Sequence, residues 1–104
     1  MNQQAMLRKI QKMQAEMVAT QKEIEQTVFK ASAGGVVSVE LYGTKELKSV
    51  MVDSSFEADG AEDLEMLGDM IVAACSDAYK QIDKMTEEKM SKYQALLGGM
   101  GGLF

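Results

Sequence analysis

The sequence predicts an α+β fold in which a long helix is followed by a three-stranded antiparallel meander and a second long helix. Three observations support this prediction. Proline is absent from the 104 residues, which suits long uninterrupted helices. Apolar residues recur at helical spacing before residue 27 and again after residue 60. Between these regions, short runs rich in valine flank pairs of turn residues, as is typical of strands joined by hairpins.

The first helix is predicted to run from about residue 3 to residue 26. Its apolar positions alternate in steps of four and three, which is a heptad pattern. They are Met6, Ile10, Met13, Met17 and Ile24, with Thr20 in the gap. Two interpretations remain open, because this seam could pack on the rest of its own chain or form a contact with a second chain.

The three strands are predicted within residues 27–32, 36–42 and 46–53. Gly34 and Gly35 can supply the positive φ angles of a two-residue hairpin turn between the first two. Leu47 has the wrong parity to share a face with the later valines of its strand, so a bulge or turn is expected there. The alternating apolar residues are Val37, Val39 and Leu41 in the second strand and Val50 and Val52 in the third.

Residues 53–69 contain seven acidic residues and no lysine or arginine. A calcium loop is one interpretation, but Ser55 stands where the first ligand should be aspartate and Met66 where the last should be glutamate. The favoured interpretation is a helix start, with Asp59 as cap and Glu62 three residues later, since acids in a first turn complement the helix dipole.

The second helix is predicted from about residue 61 to residue 97, giving a single domain over 1–97 followed by a flexible glycine-rich tail at 98–104. Cys75, the only cysteine, is predicted to pack in the interior rather than to act as a reactive thiol. The residues predicted to form core or dimer contacts are Met6, Ile10, Met13, Met17, Val37, Val39, Leu41, Val50, Val52, Leu67, Ile71 and Ala74.

Composition argues against catalysis and membrane insertion. Histidine is absent, which removes the commonest general base and metal ligand. No phosphate-binding or dinucleotide-binding fingerprint occurs, so no catalytic residue, cofactor, metal or small-molecule substrate is predicted. No apolar run approaches the roughly 20 residues of a membrane span, and the polar first residues lack a signal-peptide core. The sequence therefore predicts a cytoplasmic protein that is not an enzyme.

Basic residues suggest a different role. The net charge is −5, but residues 53–69 carry more than all of that negative charge, and the remainder sums to about +2. In an antiparallel helical hairpin, the basic residues of the two helices are expected together at the end far from the sheet. They are Arg8, Lys9, Lys12, Lys89 and Lys92. These residues either form an ordinary solvated face or bind DNA through its phosphates.

Several segments, in order and spacing, resemble the YbaB/EbfC family of bacterial nucleoid-associated proteins. The matching segments are "SAGGVVSVELYG", "VMVD" at 50–53, "EMLGDMIVAACSDA" at 65–78 and "EEKM" at 87–90. Two departures occur, because Ser54 stands where the family often has proline and Ser38 where it often has a basic residue.

The resemblance implies a tweezer-like homodimer, with the sheets and middle helix segments as its body and the long helices as projecting arms. It also implies binding to double-stranded DNA with low sequence specificity, an influence on nucleoid organisation and gene expression, and a location at the nucleoid. The alternative is a prefoldin-like chaperone or adaptor, since helical arms with methionine-rich faces can also clamp partner chains.

Overall fold

The computed structural model describes residues 2–99, with side chains described through residue 96. The elements are α1 (Gln3–Gln26), β1 (Val28–Ala33), β2 (Val37–Tyr42), β3 (Leu47–Val52) and α2 (Ala61–Gly99). The predicted order of helix, three-stranded antiparallel sheet and long helix is confirmed. The molecule measures 72 × 21 × 16 Å, because both helices extend well beyond the small sheet.

The second helix is longer than predicted. It continues through residue 99, so residues 98 and 99 belong to α2 rather than to the expected tail. At 1.5 Å per residue its 39 residues span roughly 58 Å. The rest of the predicted flexible tail, residues 100–104, lies outside the described residues.

The sheet is a simple meander of order β1-β2-β3, with every neighbouring pair antiparallel. Gly34 and Gly35 have φ angles of 61° and 67°, as expected from the sequence. The connection is nevertheless three residues long rather than two, because Ala33 pairs with Val37. A register shift in the β2–β3 pairing leaves Lys48 as the extra residue, which is the bulge predicted near Leu47.

The core lies between one face of β1 and β2 and the middle of α2. Small residues of α2 let the helix approach the sheet closely. The fully or nearly fully buried residues of this layer are Phe29, Val37, Val39 and Leu41 from the sheet and Ala74, Ala78 and Ile82 from the helix. β3 lies at the edge of the sheet, outside this layer, and its apolar side chains on the same face remain partly exposed.

The end of α1 is joined tightly to the sheet. The hydroxyl of Thr27 donates a hydrogen bond to the Glu23 carbonyl (2.7 Å), and the backbone N–H of Gly43 donates to the Thr27 carbonyl (3.0 Å). A Cβ atom on Gly43 would overlap the carbonyl oxygen of Ile24. Gly43 therefore has a second role beside the predicted turn, because its missing side chain lets the last turn of α1 lie against the sheet.

The acidic segment forms a loop and the start of α2, which confirms the helix-start interpretation. The cap differs from the prediction, however. Asp63, not Glu62, reaches back, and its carboxylate accepts a hydrogen bond from the backbone N–H of Asp59 (2.7 Å). The hydroxyl and the backbone N–H of Ser55 donate to the Asp53 carboxylate and hold the pKa of Asp53 below its ordinary value.

Over residues 2–99, neither helix is long and apolar enough to cross a membrane.

Candidate nucleic-acid interface

α1 and the last third of α2 lie antiparallel and form an arm that projects from the sheet. Two contacts define their relative register. The hydroxyls of Thr20 and Tyr93 lie 3.4 Å apart, and Lys89 Nζ lies 2.8 Å from Glu23 Oε1. Tyr93 is only 3% exposed, so the packing of the two helices continues at least this far from the sheet.

The Lys89–Glu23 pair lies on the surface of the arm. The side chains are 38% and 63% exposed, respectively. The Lys89 ammonium donates a hydrogen bond to the Glu23 carboxylate, and with its charge it holds the pKa of Glu23 below the ordinary value. The charge of Lys89 is therefore already partly neutralised within the chain.

The three basic residues of α1 are exposed near the free end of the arm. Arg8, Lys9 and Lys12 occupy little more than one helical turn, so their charges reinforce one another. Lys9 and Lys12 lie on the rim of an apolar groove of about 430 Å³. The other residues lining this groove are Met6, Ile10, Met13, Glu16 and Leu96.

The expectation that all five basic residues meet at the arm tip is wrong. Lys89 and Lys92 line a shallow depression with Thr20 and Glu23, close to where α1 joins the sheet. Glu23 lies 11 residues after Lys12, which places the two basic groups roughly 16 Å apart along the arm. The physical reason is helix length, since α2 begins at the far end of the sheet and only its last part runs beside α1.

The acidic residues of the loop and of the α2 start lie at the opposite pole of the molecule. About 40 Å of helix separates Glu65 from Lys92, and α1 extends the distance to Arg8 further. The Debye length at physiological ionic strength is about 8 Å, so the acidic pole is screened from the arm. The overall charge of −5 therefore does not describe the field at the arm tip.

The residues predicted to form core or dimer contacts divide into three groups by exposure. Met13, Val37, Val39, Leu41 and Ala74 are buried, whereas Ile10, Met17, Leu67 and Ile71 are half-buried. Met6, Val50 and Val52 are 40%, 38% and 43% exposed. The heptad seam of α1 is thus partly used within the chain, and its first turn is left uncovered in the described structure.

A second apolar surface runs along β3 and the adjacent flank of α2. Leu47, Val50 and Val52 share the inward face of the sheet through their pairing with Leu41, Val39 and Val37. Tyr79 of α2 lies beside Lys45 in the β2–β3 turn, which identifies the flank of α2 on the β3 side. We call this the β3–α2 surface; its members are Leu47, Val50, Val52, Leu64, Val72 and Tyr79, all between 38% and 68% exposed.

Cys75 lies next to the β3–α2 surface and is half-buried rather than fully buried as predicted. It packs against the core layer, on the side of α2 between its sheet-facing surface and its exposed flank.

Sequence reasoning missed the residues that align the arm, namely Thr20, Glu23 and Tyr93. Apolar residues at helical spacing run along α2 as far as Met85, and the same spacing continues through Lys89 to Tyr93. A lysine at an apolar-stripe position, together with a glutamate near the end of α1, was the signal that the sequence offered for an ion pair between the helices.

Comparison with known proteins agrees with this architecture. A profile of the YbaB/EbfC DNA-binding family matches residues 1–98. A nucleoid-associated protein of Chloroflexus aurantiacus is 35% identical over the full length of both chains. One of Lactococcus lactis subsp. lactis is 42% identical over 94 residues, covering 89% of this chain and 93% of the relative.

The crystal structure of the uncharacterized protein HP0035 from Helicobacter pylori has the same fold, with a TM-score of 0.66. It is 24% identical in sequence, and the alignment covers 92% of this chain and 98% of that one. The profile match spans nearly the whole sequence, including both helices of the arm and the sheet. The chain therefore belongs to the YbaB/EbfC DNA-binding family.

Proposed function

We propose that this protein binds double-stranded DNA as a homodimer with low sequence specificity, and thereby affects nucleoid organisation and gene expression. The observation that carries the proposal is the group of exposed basic residues on the first turns of α1, at the end of an arm and remote from the acidic pole. Its location would accordingly be the nucleoid in the cytoplasm.

The chemistry of the arm favours contacts to phosphates over contacts to base edges. Arg8, Lys9 and Lys12 present mobile cationic groups that neutralise phosphates whatever the sequence, and such contacts position a protein without reading bases. Lys92 and Lys89 would extend the contact towards the sheet. Lys89 would have to give up its ion pair with Glu23 to contact a phosphate, so its net contribution to DNA affinity is expected to be smaller.

A homodimer is supported by the β3–α2 surface. Six large apolar side chains lie on one side of a 104-residue chain, and contiguous exposed apolar patches of this kind mark association sites. Among residues 2–99, β3 is also an edge strand that pairs on one side only, and the backbone groups on its other side are suited to pairing with another chain. Association through this surface would leave both arms free, which is the arrangement needed to grip one duplex from two sides.

The protein would act by binding alone. Support comes from its membership in a DNA-binding family and from the absence of histidine in the sequence, which removes the usual catalytic base at neutral pH.

The test is a series of gel shifts with duplex DNA at several salt concentrations. The parent protein is compared with the triple variant Arg8→Ala, Lys9→Ala, Lys12→Ala, whose dimer mass is checked by light scattering. We expect the affinity of the variant to fall about equally for unrelated DNA sequences. The slope of log affinity against log salt should shrink by roughly 0.9 for each phosphate that the variant no longer neutralises.

The matched control removes the same number of charges from the sheet, as Lys30→Ala, Lys45→Ala, Lys48→Ala. Lys45 forms an exposed ion pair with Asp83 (2.9 Å), and Lys48 lies 3.9 Å from the half-buried Glu40; surface ion pairs of this kind contribute little to stability. If the control lost DNA binding while light scattering still showed a dimer, and the α1 variant kept DNA binding, DNA would lie across the sheet and the proposal would be wrong.

One observation favours a second candidate, a prefoldin-like chaperone or adaptor. The methionine-rich groove near the arm tip could hold an apolar segment of a client chain. The same salt series separates the two candidates, because apolar client binding should persist at salt concentrations that abolish binding to phosphates.

A further inference from the structure

One exposed face of α1 carries no charged side chain and is rich in glutamine. Its members follow one another in steps of three and four residues, and all are exposed to solvent: Gln4, Leu7, Gln11, Gln14 and Val18. We call this the glutamine face. The hydroxyl of Thr20 lies 3.4 Å from that of Tyr93, which marks the side of α1 that faces α2. At about 100° of rotation per residue, the centre of the glutamine face lies about 160° around the helix from Thr20, so the face points away from α2.

The surroundings of the glutamine face are basic. Residues 2–15 contain Arg8, Lys9 and Lys12 and no acidic residue. Arg8 and Lys12 come next around the helix, roughly 80° and 120° from the centre of the face, whereas Glu16 lies about 160° from it on the opposite side. The electrostatic potential beside this face is therefore positive, which favours a polyanion over a basic partner or a second copy of the same arm.

The position of the face suits the major groove of duplex DNA. The groove is about 12 Å wide and about 8.5 Å deep, so it admits the exposed side of one α-helix while a second helix stays outside. α2 supports α1 from the side opposite to the glutamine face, as the contact between Thr20 and Tyr93 shows. The glutamine face can therefore enter the groove without displacing α2.

Glutamine and aliphatic side chains are the ones that distinguish A·T base pairs in the major groove. A glutamine amide can donate a hydrogen bond to adenine N7 and accept one from its N6 amino group, and an aliphatic side chain can contact the thymine methyl group. Gln11 and Gln14 are about 4.5 Å apart along the helix axis, close to the spacing of neighbouring base pairs. Leu7 and Val18 lie one turn beyond them on either side, 56% and 55% exposed.

We propose that the glutamine face lies in the major groove of bound DNA, where Gln11 and Gln14 form hydrogen bonds with adenine. Leu7 and Val18 contact thymine methyl groups, and Arg8 beside the face holds a phosphate at the edge of the groove. The inference rests on the proposed binding to DNA and extends it. Contacts to phosphates supply the affinity for any sequence, and the glutamine face adds a modest preference for A·T-rich duplexes.

The test is a gel-shift titration of the full chain with two duplexes of equal length, one A·T-rich and one G·C-rich. We expect the parent to bind the A·T-rich duplex at least about fivefold more tightly, since one good bidentate pair discriminates by that factor. The double variant Gln11→Ala, Gln14→Ala should lose this preference and keep its affinity for the G·C-rich duplex. Alanine is the best helix former, so α1 should remain intact. The matched control Gln26→Ala, Gln94→Ala removes two exposed glutamines outside the face and should keep the preference.

Modified bases separate base reading from DNA shape. Replacing adenine with 7-deazaadenine removes the N7 acceptor from the major groove and leaves the minor-groove acceptors in place. This change should weaken binding of the parent to the A·T-rich duplex and leave the Gln11→Ala, Gln14→Ala variant unaffected. Replacing thymine with uracil removes only the methyl group, so it should weaken the parent but not the variant Leu7→Ala, Val18→Ala.

The outcomes that contradict the inference differ from those that contradict the proposed function. A preference for A·T that survives both the glutamine substitutions and 7-deazaadenine would come from DNA shape and would overturn the inference. Equal affinity of the parent for the two duplexes, or an equal loss of both in the Gln11→Ala, Gln14→Ala variant, would also overturn it while leaving binding to DNA established. Failure of the parent to bind either duplex would refute the proposed function and the inference together.

Discussion

Lys89 and Glu23 connect the two helices of the arm through a hydrogen-bonded ion pair of 2.8 Å, 66 residues apart in the sequence. Lys89 was expected at the arm tip, yet the residue it contacts lies one turn from the end of α1 at the sheet. This pair therefore shows which residues of α1 and α2 lie side by side. It also divides the basic residues of the arm into a group at the tip and a group near the sheet.

The pair should make stability depend on pH in the acid range. Lys89 lowers the pKa of Glu23 in the folded state, so the unfolded chain binds that proton more readily. The stabilisation is present above the ordinary pKa of 4.5 and is lost as the pH falls through the lowered folded-state value. We expect the melting temperature of Glu23→Gln to fall less steeply than that of the parent between about pH 5 and about pH 3.

The expected difference is small, because both side chains are exposed to solvent. Lys89→Met should flatten the acid limb in the same way, because it removes the cation that lowers the pKa of Glu23. Parallel curves for the parent and Glu23→Gln would mean that the ion pair does not persist in solution.

Substitution of Gly43 should be severely destabilising. A methyl group there would overlap the Ile24 carbonyl, and backbone atoms cannot yield as a flexible side chain can. Overpacking of this kind costs about 3 kcal/mol. In a domain of this size that corresponds to a fall of more than about 10 °C in the melting temperature of Gly43→Ala. Gly60→Ala, where a Cβ meets open space, should shift the melting temperature only slightly. Equal melting temperatures for the two variants would contradict the close approach of α1 to the sheet.

Association should depend on the β3–α2 surface. Light scattering of the parent at micromolar concentration should give twice the 11.4 kDa mass of one chain. Val72→Glu places a charge in the proposed interface at a residue that is already 68% exposed, so the single chain should still fold while the dimer dissociates. Val18→Glu is the matched control on α1, at 55% exposure and away from that surface. A parent mass of one chain, or dissociation only in the control, would exclude this interface.

Removing acidic residues at the far pole should not strengthen DNA binding. The variant Glu57→Gln, Asp59→Asn, Glu65→Gln removes three negative charges, the same change in magnitude as the triple substitution on α1. Because these residues lie several Debye lengths from the arm, we expect affinity to change by less than about twofold at physiological salt. A tenfold gain, measured by the same gel shifts, would mean that DNA passes close to the acidic pole.

Local pattern in the sequence was sufficient to predict the two helices and three strands of residues 2–99. Helical periodicity without proline predicted α1 and α2, and valine alternation around Gly34 and Gly35 predicted the meander, because secondary structure follows from spacing along the chain. The wrong parity of Leu47 even predicted the bulge, which the structure places at Lys48. The segments in order and spacing also carried the resemblance to the family.

Only the tertiary structure decided which of these elements come into contact and which of their residues lie side by side. The basic residues of the two helices were expected together, but α2 passes the sheet before it reaches α1, so its lysines align with Thr20 and Glu23. The same is true of Gly43, whose close contact with Ile24 involves residues 19 positions apart. The heptad of α1 could not by itself distinguish a partner within the chain from one outside it. The physical reason is that periodicity determines which face of a helix is apolar, whereas the packing of the whole chain determines what covers that face.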